Sequence, residues 1–194
     1  KKKELNIILI GHSGHPEVIG TMGQISSKMH LVENKKDVAA LNLNKNNKIA
    51  YVTQTTLSVD DTKSIIQAIK KKYPNVIEPK KDDICYATTN RQDSVKKIAA
   101  VCDVIIVCGS PTSSNSNRLR EMSESLGVKS YIIDTVDELD VSWIEGKKNL
   151  GITSGASVPK KIVDQLISVI LEQCPSVLIH EEDCIEKDIK FPLP

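Results

Sequence analysis

The stretch Leu5-Asn6-Ile7-Ile8-Leu9-Ile10-Gly11-His12-Ser13-Gly14-His15-Pro16-Glu17 decides the architecture. Its first six residues form an almost continuous apolar run, the pattern of a strand buried on both faces. From Gly11 to His15 there are too many glycines and polar groups to continue that strand. Pro16 suits a first helical turn, and a helix is expected over Val18 to Ser26. Apolar strand, short polar turn, helix is the repeating unit of a parallel α/β sheet.

The unit recurs. Strands are expected at Leu5 to Ile10, Ile49 to Thr53, Val104 to Val107 and Leu150 to Thr153. The polar turns that follow them are Gly11 to Glu17, Thr53 to Ser58, Gly109 to Asn115 and Thr153 to Ser157. Between these units we expect short strands at His30 to Val32, Asn75 to Glu78 and Ser130 to Ile133, and one in the tail from Val177. A short helix is expected over Lys36 to Leu41. Ser58 reads as the N-cap of a helix that runs to Lys72, with Asp60 and Asp61 in its first turn. Further helices are expected at Thr88 to Val101, Asn117 to Leu126 (closed by Gly127), Val136 to Trp143 and Pro159 to Gln173.

Two units precede the charged, proline-containing segment Pro79 to Asp82 and two follow it. The expected fold class is therefore α/β, with two related lobes, each a small mostly parallel sheet flanked by helices. The lobes span 1–81 and 82–176, with a tail over 177–194. A chain that opens on a core strand leaves that strand short of a neighbour, so further sequence is expected to precede Lys1.

Composition narrows the partners. Aromatic residues are only 3% of the 194, so Ile, Val, Leu and Ala must fill the core. With 26 basic and 25 acidic residues no global field would attract nucleic acid, and the Lys pairs lack interleaved aromatics. No apolar run approaches the ~20 residues that cross a bilayer, and no signal-peptide core is present, so no membrane partner is expected. Five cysteines without a CxxC pair point to a reducing compartment.

In α/β sheets the turns at the carboxyl ends of the strands are where ligands sit. Here these turns offer His12, His15, Glu17, Thr55, Thr56, Ser113, Ser114, Asn115 and Ser157. Hydroxyls, amides and imidazoles beside helix N-termini suit a phosphate or diphosphate, although the same residues are ordinary caps and turn formers. No Walker or GxGxxG sequence appears, so an anion site would be assembled from several turns. Glu17 can act as a general acid if it lies near a reacting group. Cys85 sits just ahead of Thr88-Thr89-Asn90, which opens a helix, and its thiolate would be favoured there as ligand or nucleophile. The alternative is a small buried residue beside a helix cap. Cys102 and Cys108 flank a core strand and read as buried thiols; Cys174 and Cys184 receive no role.

The strings GHPEVIGTMGQ (Gly14 to Gln24), TQTTLSVDDT (Thr53 to Thr62), DDICYATTNRQ (Asp82 to Gln92), SSNSNRL (Ser113 to Leu119) and ITSGASVP (Ile152 to Pro159) resemble, in order, those of the LytB-type iron-sulfur enzymes, the 4-hydroxy-3-methylbut-2-enyl diphosphate reductases. The resemblance implies three α/β lobes around a central 4Fe-4S cluster, of which this chain carries the second and third. It implies that Cys85 is one of three cluster thiolates, the other two belonging to a lobe ahead of Lys1. Glu17 would supply protons through the substrate hydroxyl, with Thr55 beside it, and His15, Thr56, Ser113, Ser114, Asn115 and Ser157 would hold the diphosphate. The implied reaction uses two electrons and protons to remove the hydroxyl as water, giving isopentenyl and dimethylallyl diphosphate, the last step of the methylerythritol phosphate route. The implied partners are a diphosphate substrate and a ferredoxin or flavodoxin that meets a Lys cluster, in a bacterial cytoplasm or a plastid-type organelle. Two other readings are a diphosphate-binding module without a cluster and a mononuclear metal site at His12, His15 and Cys85.

Overall fold

The computed structural model describes residues 5–25, 29–44 and 46–182. The expected ends of the first helix at Ser26 and of the tail strand beyond residue 182, the Lys1 to Lys3 run, and Cys184 lie outside the described residues. The chain divides into two compact units between Cys85 and Tyr86.

The first unit contains β1 (Leu5–Ile10), α1 (Pro16–Gly23), β2 (Met29–Val32), α2 (Lys35–Ala40), β3 (Lys48–Thr53) and α3 (Val59–Lys72). Its sheet has the order β2-β1-β3 and every pairing is parallel. The first strand occupies the centre, which is why Leu5 to Ile10 reads as apolar on both faces. Ile8 and Ile10 pack with Val32, Val38, Ile65 and Ile69 in one core. α3 begins as the sequence predicts, with Ser58 Oγ accepting from the Asp61 N–H at 3.2 Å.

The second unit contains α4 (Tyr86–Ala99), β4 (Val104–Cys108), α5 (Ser114–Ser125), β5 (Lys129–Ile133), β6 (Leu150–Ser154) and α6 (Lys160–Gln173). Its sheet has the order β5-β4-β6, again all parallel, so the topology of the first unit is repeated strand for strand. β4 is buried along its whole length. Ile105 and Val107 face one core with Val95 and Leu119, while Ile106 and Cys108 face the other with Leu166 and Ile170. That division is the period of two along a strand with both faces covered.

Three expectations are corrected. Asn75 to Glu78 is no strand: Ile77 alone bridges Ala50, because Pro74 and Pro79 on either side cannot donate to a ladder. Val136 to Trp143 forms two short 3₁₀ turns, Val136–Glu138 and Val141–Trp143. The chain turns extended at Leu139, and the Asp140 carboxylate then captures the Ser142 N–H at 2.9 Å, which restarts a turn and prevents one continuous helix. α5 starts three residues earlier than expected, so Ser114 and Asn115 lie in its first turn with Ser113 as the cap. At its far end Gly127 adopts φ +85°, and the Val128 N–H returns to the Ser123 carbonyl at 3.0 Å, the expected helix stop.

Candidate functional site

In the strand order β2-β1-β3 the chain leaves β1 toward one edge and returns to the other. The switch point therefore lies at the carboxyl ends of β1 and β3, where α/β sheets bind ligands. The second unit has its switch point between β4 and β6. The two are built alike. The Gly11 N–H donates to the Val32 carbonyl at 3.1 Å and the Gly109 N–H to the Ile133 carbonyl at 2.8 Å. The Gln54 N–H donates to the Ile10 carbonyl at 2.8 Å and the Gly155 N–H to the Cys108 carbonyl at 2.9 Å. Counting outward from these bonds, the caps His15 and Ser113 correspond, as do Glu17 and Asn115, Val18 and Ser116, and Thr56 and Ser157.

At the first switch point His15 Nδ1 accepts from the Glu17 N–H at 3.2 Å, capping α1. A neutral ring that accepts at Nδ1 carries its proton on Nε2, which is then a donor. Glu17, in the first turn of α1, receives two bonds from Thr55: the N–H to Oε1 at 2.9 Å and the hydroxyl to Oε2 at 3.0 Å. Gln54, which the sequence reading did not single out, is fully buried. Its Oε1 accepts from the His12 N–H at 3.0 Å and its Nε2 donates to Thr56 Oγ1 at 3.0 Å, so one amide ties the two turns together. The only signal for it was its place inside the TQTT string.

Cys85 belongs to this first unit. Its N–H donates to the Thr55 carbonyl at 3.1 Å, so the cysteine, the threonine and the glutamate predicted as functional meet through one residue. Its thiol is exposed, as is that of Cys174. Cys108 is buried, as the sequence reading expects, and burial pushes its thiol up to about 11. Cys102 is half-buried and its thiol is raised by burial and then by Asp103. Exposure thus separates Cys85 and Cys174 from the buried Cys108 and the half-buried Cys102. His12 Nδ1 lies 3.7 Å from Glu33 Oε2. Among the described residues no three His, Cys, Asp or Glu side chains converge, so the mononuclear His12, His15 and Cys85 site is not formed.

At the second switch point Gly155 stands where the first has Gln54. A Cβ at either Gly109 or Gly155 would run into Ser116 Oγ. Ser113 Oγ accepts from the Ser116 N–H at 3.3 Å, which leaves its hydroxyl hydrogen to be donated elsewhere. Asn115 is only 7% exposed, yet both its amide nitrogen and its oxygen are buried without a hydrogen-bond partner. Such an orphan is costly unless a ligand answers it. Ser114 is half-buried beside it, and Ser157 is exposed on the β6 turn. Arg91 Nε donates to the Ser154 carbonyl at 3.1 Å, anchoring that turn to α4.

Comparison with known proteins gives consistent matches. The family model described as LytB protein matches residues 1–171. The 4-hydroxy-3-methylbut-2-enyl diphosphate reductase of Polaromonas sp. is 52% identical over 193 residues, covering all of this chain and 58% of that protein. The Nitrosomonas europaea protein of the same name is 48% identical over 202 residues, covering 62% of its length. The solved E-1-hydroxy-2-methyl-but-2-enyl-4-diphosphate reductase from Plasmodium falciparum superposes with a TM-score of 0.82 at 41% identity, covering 86% of this chain and 52% of that one. The chain therefore spans less than two thirds of the length of these relatives.

Proposed function

Because the chain belongs to the LytB family, we propose that it is part of an enzyme that reductively removes the hydroxyl of 4-hydroxy-3-methylbut-2-enyl diphosphate. The products are isopentenyl and dimethylallyl diphosphate. The balance is two electrons and two protons in, one water out: the C–O bond breaks, one proton leaves in the water and the other is delivered to the allylic carbon skeleton. The observation that carries the reading is the convergence on Thr55, whose N–H and hydroxyl bind Glu17 while its carbonyl binds Cys85.

Cys85 fits one corner of a 4Fe-4S cluster, since its thiol is exposed and its backbone is fixed. The other two thiolates are assigned to the part of the relatives' length outside this chain. When bound, the cluster supplies electrons to the substrate.

The remaining work falls to this chain's own residues. Glu17 holds the proton. As a carboxylate it accepts the Thr55 hydroxyl; once protonated it donates to Thr55 Oγ1 instead, which turns the threonine's hydrogen outward to the substrate oxygen. In the second unit Asn115, with two unanswered polar atoms, and Ser113, with a hydroxyl hydrogen to give, bind the diphosphate together with Ser114 and Ser157. In the first unit His15, with its hydrogen on Nε2, and Thr56 are the residues proposed for diphosphate contact. The electron donor is an acidic ferredoxin or flavodoxin docking on a Lys cluster, in a bacterial cytoplasm or plastid-type organelle. Among the described residues no helix is long and apolar enough to span a membrane.

The test combines this chain with the missing portion of a relative, restores iron and sulfide anaerobically, and compares it with Cys85→Ala. Turnover by the unsubstituted protein alone supports the reading; equal turnover by both sinks it. A second reading, a diphosphate-binding module that works without a cluster, is favoured by the Asn115 orphan, which needs no iron to be satisfied. Tight pyrophosphate binding by the iron-free chain, with no turnover in the combined protein, would select it.

A further inference from the structure

β3 is the outer strand of its sheet, and an outer strand presents unpaired backbone groups at every second residue. On this edge they are answered one after another by the segment leading to Cys85. The Ile49 carbonyl accepts from the Ile77 N–H at 2.8 Å, and the Tyr51 N–H donates to the Ile77 carbonyl at 3.2 Å. The Thr53 N–H donates to Asp83 Oδ2 at 2.9 Å. The Thr55 carbonyl then accepts from the Cys85 N–H. Residues 49, 51 and 53 share one edge of β3 by the period of two and Thr55 follows just past its end, so residues 77–85 line that edge as an irregular segment that forms no strand of its own. Its middle rung is a side chain where a true strand would offer a carbonyl.

The substitution has a sequence cause. Pro79 has no N–H to give, and the run Lys80-Lys81-Asp82 carries charge that resists burial at a sheet edge, so the chain leaves the ladder after Ile77. A carboxylate that reaches back from Asp83 recovers the rung with a charge-assisted bond, stronger than the carbonyl bond it replaces.

We infer that Asp83 is a positioning residue for Cys85. Its carboxylate, two residues ahead of the thiol, fixes the backbone that presents Cys85 beside the Glu17–Thr55 pair. The inference deepens the reading of Cys85 as a cluster thiolate, but the clamp can be tested without iron.

The experiment uses the 194-residue chain with Asp83→Ala, Asp83→Asn and Asp83→Glu. Amide hydrogen exchange is followed at Thr53 and Cys85. Alkylation of Cys85 by iodoacetamide is measured relative to Cys174, the other exposed cysteine of the described residues, so that any general loosening cancels in the ratio. Asp83→Ala should speed exchange at both amides by about tenfold or more and shift the Cys85 to Cys174 ratio severalfold. Asp83→Asn retains an acceptor oxygen of the same length and should stay close to the unsubstituted chain. Asp83→Glu keeps the charge but overshoots the Thr53 N–H and should fall between, so this pair decides the matter even if Asp83→Ala folds poorly. Unchanged exchange at Cys85 in Asp83→Ala, or Asp83→Asn as disturbed as Asp83→Ala, overturns the inference. The ligand assignment is separated by iron-thiolate absorption in the reconstituted, combined protein: if Cys85→Ala retains it, that assignment falls while the clamp stands.

Discussion

Thr55 gives both its backbone N–H and its hydroxyl to the two oxygens of Glu17, at 2.9 and 3.0 Å, across 38 residues of sequence. The backbone bond fixes where the carboxylate sits, and the hydroxyl bond is the one a proton can reverse. Glu17→Gln keeps an acceptor for the N–H and a donor toward Oγ1, so the fold should be kept. It has no acidic proton, and turnover in the combined enzyme should fall by about 10²- to 10⁴-fold. A thermal melt within a degree or two of the parent, beside that loss, separates chemistry from folding.

Gln54 acts on the same turns from inside the protein. Replacing it by Leu leaves the His12 N–H without its acceptor and takes the amide donor from Thr56 Oγ1. Urea denaturation should show a loss of roughly 1–3 kcal/mol. Gln54→Glu preserves the acceptor for His12 and should recover part of it; a full loss in both variants would mean that the His12 bond contributes nothing.

The glycines of the second switch point separate two kinds of cost. Gly109 has φ +152°, a region closed to other residues, whereas Gly155 has ordinary backbone angles and only a collision with Ser116 Oγ to fear. Gly155→Ala should therefore be rescued by Ser116→Ala, since the next contacts, Val158 Cγ2 and Ser116 Cβ, stand at 3.5 and 3.7 Å, ordinary van der Waals distances. Gly109→Ala should keep about 1–3 kcal/mol of backbone strain whatever residue 116 is. Equal rescue at both sites would refute the strain argument.

How far the sequence foretold these elements follows from what each depends on. Leu5–Ile10 agrees to the residue because a central parallel strand has no polar face to blur its ends. The start of α5 does not, because Ser113-Ser114-Asn115 reads equally well as a turn until Ser113 is seen capping the Ser116 N–H. Candidate site residues were legible through their motif strings and their place after strands. Gln54 and Asp83 were not, since each acts through backbone groups supplied by the fold: His12 lies 42 residues from Gln54, and Thr53 lies 30 from Asp83.

Tyr51 gives a pH signature for the same edge. Burial first, then its hydrogen bond to Glu78 Oε2 at 3.2 Å, then the charges of Glu78, Asp82 and Asp83, push its phenol up to about 12 from 10.0. Because the folded state favours the protonated phenol, its contribution to stability is complete below pH 10 and is lost as pH rises from about 10 to 12. Ultraviolet titration should show a late ionisation that Tyr51→Phe removes. A Tyr51 that ionises near 10 would show that this edge is open to water.

Asn115 sets stability against function. Its amide is buried with neither atom paired, and an unsatisfied buried group costs about 1–3 kcal/mol. Leu has the same number of side-chain heavy atoms in the same branched outline, leaves nothing unpaired and is a better helix former for the first turn of α5. Asn115→Leu should therefore match or exceed the parent in thermal stability, a direction few core substitutions take. The same change removes a donor and an acceptor from the proposed diphosphate site, so pyrophosphate binding followed by calorimetry should weaken at least tenfold. The pair of measurements decides the role of the residue. Gain of stability with loss of binding identifies an amide kept for its ligand, whereas loss of stability by more than about 1 kcal/mol identifies one that the fold itself requires.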